Sequence, residues 1–151
     1  MSSNNNPLTQ REFETIYSKV PRLTVEIVVK NGNGAIYLTK RGIQPCIGQW
    51  HLPGGTVRFG ELMQEAVKRI AKRELGTNVI TMKNVGYIEY PSHYEHGLDS
   101  PVGIVFEVES YEGVLIPNKE SIEADWFTKL PEAMHADQDT FLVKHKYLSL
   151  K

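Results

Sequence analysis

The chain has a single cysteine, Cys46, in 151 residues. No intramolecular disulfide can staple such a chain, and a lone thiol fits a reducing compartment. A minor packing role is the first reading of Cys46, ahead of a nucleophilic one. Runs of 18 apolar residues are missing, which argues against a membrane-spanning helix. The opening MSSNNNPL lacks the basic-then-apolar pattern of a leader, so the cytoplasm is the expected address. Charge of one sign is not in excess either, with 17 Lys+Arg against 18 Asp+Glu. That balance excludes a general binder of nucleic-acid polymers or membrane surfaces, which needs a surplus of cations to meet phosphates.

What the chain does contain is 40% hydrophobic and 23% charged residues, the composition of a globular protein. One domain is expected over 8–151, behind a disordered polar tail at 1–7. The near-zero total hides asymmetry. Residues 1–106 hold 12 basic and 9 acidic side chains, 107–139 hold 2 and 9, and 140–151 hold 3 and none.

Thr9 and Glu12 have capping-box spacing and open a short helix over Phe13, Ile16, Tyr17 and Val20, which Pro21 ends. Residues 23–30 and 35–41 are β-branched-rich and flank Asn31-Gly32-Asn33-Gly34, which predicts a hairpin. From 62 to 75, Leu62, Met63, Ala66, Val67, Ile70, Ala71 and Leu75 recur at helical spacing, and Gly76 follows as a stop. Strands are expected at 79–90, 102–111, 113–116 and 122–127, with a loop at 91–101. Leu130-Pro131-Glu132 starts a short helix, and 138–150 forms the last. Strands on both sides of a central helix predict an α/β domain with a mixed sheet.

The segment from Trp50 to Glu61 (WHLPGGTVRFGE) leads straight into the central helix. Pro53-Gly54-Gly55 leaves backbone amides and carbonyls free, and the following helix N-terminus favours anions. Inside the helix, at about 100° per residue, Glu74 falls within the apolar arc. A carboxylate there costs several kcal/mol unless a cation meets it. The candidates are an ion pair with Arg69, Arg73 or Lys40, or a divalent metal. Lys68, Arg69, Lys72 and Arg73 form either a solvated stripe or a cationic surround for a phosphate.

Gly55, five residues, Glu61, seven residues, Arg69, then Glu74-Leu75-Gly76 resembles the Nudix box. The resemblance extends through the WHLPGG lead-in and a late IEADWFTKLPE, and covers most of residues 22–135. It implies an α/β/α sandwich and a hydrolase of nucleoside diphosphates linked to another group, using Mg2+ or Mn2+. Ile70 and Arg73 stand where the pattern has glutamates, so two of the three usual metal-binding carboxylates are missing and a single ion is implied. In this respect the run Arg69-Ile70-Ala71-Lys72-Arg73-Glu74-Leu75-Gly76 is similar to the GDP-mannose mannosyl hydrolase branch.

Carried over residue by residue, the resemblance implies that Glu74 and the Gly54 carbonyl bind the metal, that Arg41 contacts the diphosphate, and that Glu26 assists catalysis. Arg58 could replace the arginine which that branch has directly after Pro-Gly-Gly, where this chain has Thr56. The branch's Gln-His pair is replaced by Glu120-Ser121, which leaves Glu120 as candidate base or further metal ligand, or as a solvated acid. His93 and His96, in the 91–101 loop, are the other candidate bases, with side chains that titrate near neutrality. The implied partner is a small nucleoside diphosphate derivative, a nucleotide sugar above all, and a homodimer is allowed. Water would attack either phosphorus or the sugar carbon, and attack at carbon suits one metal better because only the leaving group needs stabilising. The alternative is a Nudix-fold module that binds a nucleotide or a partner protein without turnover.

Overall fold

The β-branched run near the start forms β1 (Arg22–Val28), whose residues from Thr24 onward are all buried. A strand without a solvated face is one covered on both sides. In the computed structural model, which describes residues 7–150 apart from Pro45, β1 lies inside a four-stranded mixed sheet. It pairs antiparallel with β4 (Gly54–Thr56) and parallel with β6 (Pro101–Glu112), and β5 (Asn78–Glu89) lies antiparallel beyond β6. A second sheet has the order β3 (Trp50–His51), β2 (Ile36–Arg41), β7 (Ser121–Phe127). The tail expected at 1–7 lies, but for Pro7, outside the described residues.

Alternation along β1 divides the core. Val25, Ile27 and Val29 meet Ala66, Val67, Ile70, Ala71 and Leu75 of α2 (Met63–Leu75). Val28 joins Ile36, Leu38 and Trp50 of the second sheet with Phe141 and Leu142 of α4 (Ala136–Lys144). The result is the expected α/β architecture with helices on both sides of a mixed sheet. Gly76 caps α2 in the left-handed region, at φ 65°, where an L side chain would be strained. Among the described residues no helix is long and apolar enough to cross a membrane.

The Thr9–Glu12 capping box is present, with Glu12 N–H on Thr9 Oγ1 at 3.1 Å and Thr9 N–H on Glu12 Oε1 at 2.9 Å. The helix it opens, α1 (Gln10–Tyr17), stops three residues before Val20. Other expectations need correction. The 23–41 hairpin closes only at its turn, through Asn31 N–H on Ala35 O at 3.0 Å and Tyr37 N–H on Val29 O at 3.0 Å. Both edges of β1 are taken by β4 and β6, so β2 pairs elsewhere.

No strand forms at 113–116. Gly113 turns the chain at φ 103°, and Ile116 N–H then donates to the Leu75 carbonyl at the end of α2, 2.7 Å away. The loop expected at 91–101 begins with a one-turn helix, α3 (Pro91–Glu95), Pro91 occupying the first turn, where its missing N–H costs nothing. Leu130-Pro131-Glu132 starts no helix; Leu130 N–H bonds Ser149 O at 2.9 Å instead. The last helix begins earlier than 138, with His135 as its N-cap, and ends at Lys144.

Glu107 on β6 binds three other parts of the fold. It accepts from the Tyr147 hydroxyl at 2.5 Å and faces Lys30 at 3.2 Å and Lys83 at 4.0 Å. Burial alone would raise its pKa, but the Tyr147 hydrogen bond and the two lysines outweigh this and hold the carboxyl below its usual range. A depressed folded-state pKa contributes stability that is complete above the unfolded value and is lost as pH falls through the folded one. Urea unfolding followed from neutrality down to about pH 3 is therefore expected to show a steeper acid loss of stability in the wild type than in Glu107→Gln. Parallel profiles would contradict this role.

Candidate active site

The Trp50–Glu61 segment is placed by two backbone pairings. Trp50 N–H bonds Ala133 O at 2.7 Å, and Ile27 N–H bonds Pro53 O at 2.8 Å. The two glycines have different reasons. A Cβ on Gly54 would lie 2.6 Å from Glu26 Oε2 and 2.6 Å from the Val25 carbonyl; one on Gly55 would lie 3.0 Å from Ile70 Cδ1 and 3.2 Å from Arg73 Nη2. Gly54 makes room for a carboxylate on one face of β1, and Gly55 lets α2 approach the other.

Arg69 fastens this loop to α2. Its Nε and Nη2 grip both Glu61 oxygens at 2.7 and 3.0 Å, and Nη2 also reaches Thr56 O at 2.9 Å. This forked bond holds the Glu61 carboxyl below its usual pKa, as a bidentate guanidinium should. Arg69 is therefore not the partner of Glu74. Nor is Lys40, which faces Glu123 at 3.5 Å. The partners of Glu74 are Arg73, 3.6 Å away, and the Asn118 side-chain amide, which donates to its other oxygen. Burial still leaves the Glu74 carboxyl above its usual pKa, the Arg73 charge only opposing the rise.

A cavity of about 830 Å3 collects Glu26, Arg41, Gly54, Glu74, His93 and Glu120 from the residues singled out in the sequence. Arg58 and His96 do not line it. Arg58 sits in the β4–α2 loop with its N–H on Glu61 Oε1 at 3.0 Å, and His96 is exposed, its Nδ1 2.7 Å from Ser92 O. Arg73 and Arg22 bring cationic charge to the cavity instead.

Two buried side-chain atoms among the described residues have no hydrogen-bond partner, Glu26 Oε2 and Arg41 Nε. Both belong to this cavity. Burial pushes the Glu26 carboxyl up to about 8, with Tyr90 and Arg22 opposing the rise. Behind Glu26, Gln138 donates to the Tyr90 hydroxyl at 2.9 Å and accepts from Leu52 N–H at 2.8 Å. The cavity therefore presents hard oxygen donors beside guanidinium groups, the donor types that suit a divalent cation and a phosphate oxygen respectively.

Sequence reasoning singled out His93 but missed the group to which it belongs. His93 is buried and donates its Nδ1 proton to Asp99 Oδ1 at 3.0 Å, while Arg22 Nε holds the other Asp99 oxygen at 2.6 Å. His135 and Cys46 complete the group. The three residues come from the β2–β3 loop, α3 and the cap of α4, and no sequence spacing unites them.

With the geometry in view, comparisons with known proteins give a consistent family. The NUDIX domain model matches residues 20–145, and the chain belongs to that family. The Low-salt glycan biosynthesis protein Agl8 of Haloferax volcanii is 35% identical over 101 residues, 64% of this chain and 64% of its own. An ADP-ribose pyrophosphatase of Methanocaldococcus jannaschii is 32% identical over 107 residues, 71% of this chain and 62% of its own. The chain thus spans a little under two thirds of the length of these relatives. A MutT NUDIX hydrolase from Burkholderia pseudomallei superposes with a TM-score of 0.71 at 25% identity, over 80% of this chain and 95% of that one.

The contact at Gly54 can be tested directly. Gly54→Ala places a methyl against the Val25 carbonyl, which cannot retreat without loosening β1 from β4, and is expected to cost about 1–3 kcal/mol in urea unfolding. Gly32→Ala, with nothing within 4 Å of its added carbon, is the control and should cost far less. Equal effects would refute the steric account.

Proposed function

We propose that this chain is a hydrolase of a nucleoside diphosphate linked to another group, a nucleotide sugar or an ADP-ribose-like compound, dependent on one Mg2+ or Mn2+ ion. The observation that carries the reading is the pair of orphaned atoms in one cavity, an acceptor on Glu26 and a donor on Arg41. An acceptor in want of a cation beside a donor in want of an anion suits a metal–diphosphate complex. Family membership supports hydrolysis. The relatives named for glycan biosynthesis and for ADP-ribose both fit a sugar-linked diphosphate.

Glu26, Glu74 and the Gly54 carbonyl are the oxygen donors we assign to the ion. Bound there, it would offset the diphosphate charge and stabilise the leaving oxygen. Ile70 is fully buried under Gly55 and Arg73 lies 3.6 Å from Glu74, so neither replaces a missing carboxylate and a single ion is favoured. Arg41 and Arg73 hold non-bridging oxygens as forked donors. Glu120 lines the cavity and is exposed, which suits a base that takes a proton from water and releases it to solvent. The lone thiol fits a cytoplasmic setting.

The test is product release from GDP-mannose, other nucleotide sugars, ADP-ribose, dinucleotides and nucleoside triphosphates with Mg2+. We expect turnover of at least one sugar-linked diphosphate and a fall of about a hundredfold or more in kcat/KM for Glu74→Gln. Full activity in that variant would refute the role of Glu74. Both Glu74 oxygens are engaged by Arg73 and Asn118, which favours the second reading, a binding module. Calorimetric nucleotide binding without turnover would decide for it.

A further inference from the structure

The hydrolysis reading leaves Cys46, His93 and His135 unused, although all three line the cavity. Cys46 Sγ and one ring nitrogen from each histidine lie within 4.8 Å of one another. His93 Nε2 is 3.0 Å from His135 Nε2 and 4.0 Å from Cys46 Sγ. The two rings stack at 5.2 Å, and the Tyr90 ring packs edge-on against both at 5.4 Å.

We propose that Cys46, His93 and His135 form a three-ligand site for one Zn2+ ion, separate from the carboxylate site and different in donor chemistry. One thiolate and two imidazoles suit a borderline-soft transition ion and not Mg2+. Tetrahedral bonds of about 2.1 Å to nitrogen and 2.3 Å to sulfur separate two nitrogens by about 3.4 Å and nitrogen from sulfur by about 3.6 Å. The observed 3.0 and 4.0 Å differ from these by about 0.4 Å in opposite senses, and the third pair, His135 with Cys46, lies within 4.8 Å.

The surroundings hold the rings in place. Asp99 takes the Nδ1 proton of His93, so the Nε2 lone pair faces the cluster, the carboxylate–histidine arrangement found behind metal-bound imidazoles. Asp99 is itself fixed by Arg22. His135 is held by its backbone N–H on Trp50 O at 2.9 Å and by Asp137 N–H on its Nδ1 at 3.2 Å. In this state its proton sits on Nε2 and points at His93. Loading the ion moves that proton to Nδ1, gives up the Asp137 bond, and releases the thiol proton to solvent. Cys46 is one of two non-glycine residues among those described with positive φ, at 64°. Three protein donors leave a fourth position for water or for an oxygen of whatever occupies the cavity, as in open zinc sites.

The experiment uses the full chain, stripped of metal and equilibrated with Zn2+ in the presence of excess Mg2+. We expect one Zn2+ per chain by atomic emission in the wild type and in Glu74→Gln. Cys46→Ser and His135→Ala should lose it, and Asp99→Asn should bind about tenfold more weakly. Co2+ in place of Zn2+ should give a near-ultraviolet thiolate charge-transfer band that is absent in Cys46→Ser. Because the chain has one thiol, a second measurement needs no variant: Zn2+, and not Mg2+, should protect the wild type from a thiol-modifying disulfide reagent. No retained Zn2+, retention that survives Cys46→Ser, loss caused by Glu74→Gln, or an unprotected thiol would each overturn the proposal. None of these readouts depends on hydrolysis.

Discussion

Glu26 lies on a central strand that is buried from Thr24 onward, and its buried carboxyl governs what can surround it. Its neighbour across β4 must be Gly54, since any Cβ there meets the carboxylate at 2.6 Å, and Gly103 on β6 is held to glycine by the Glu26 Cγ at 2.8 Å. Polar groups rather than apolar ones gather behind it, Thr24, Tyr90 and Gln138, all of them buried. An ion in such surroundings costs several kcal/mol unless it is met by charge or hydrogen bonds, and the carboxyl responds by holding its proton up to about 8. The alternation of β1 confines that cost to one face, because Val25 and Ile27 on the other pack under α2. One strand thereby gives Val25 and Ile27 to the core under α2 and Thr24 and Glu26 to the lining of the cavity.

The helix beside it packs against the same Pro-Gly-Gly loop. Where its pattern resembles a metal-binding box, Ile70 fills the space under Gly55 and Arg73 lies over the same glycine. Arg69 and Glu61 remain as a clasp that holds the Pro-Gly-Gly loop against the first turns of α2. The scaffold of the box is thus kept, with Ile70 and Arg73 in place of two of its carboxylates.

Much of this was legible in the sequence, for identifiable reasons. The central helix announced itself because Ala66, Val67, Ile70, Ala71 and Leu75 bury one stripe and Gly76 stops it. Glu74 stood out because it broke that stripe. Glu26 and Arg41 came from the resemblance, and both carry orphaned atoms. The hairpin at 23–41 misled because turn chemistry decides where a chain reverses and not which strand it then pairs with; β4 and β6 had already claimed β1. The 113–116 segment misled because the backbone N–H of Ile116 goes to the Leu75 carbonyl at the end of α2 instead of to a ladder, while Val114 and Ile116 stay exposed. The Cys46–His93–His135 group was invisible because its members are separated by 47 and 42 positions, and only the packing of three different connections brings them together.

The stretch from Gly113 to Glu120 is anchored to α2 at two points, Ile116 on the Leu75 carbonyl and Asn118 on the Glu74 carboxylate. Two residues later comes Glu120, whose N–H is folded back onto Asn118 Oδ1 at 2.9 Å. The asparagine side chain thus ties the Glu74 carboxylate to the Glu120 backbone, one end on each. The helix end and this strap behave as the two jaws of a caliper joined through that amide, and Gly42 N–H on the Glu120 carbonyl at 2.8 Å pins the moving jaw to the β2–β3 loop.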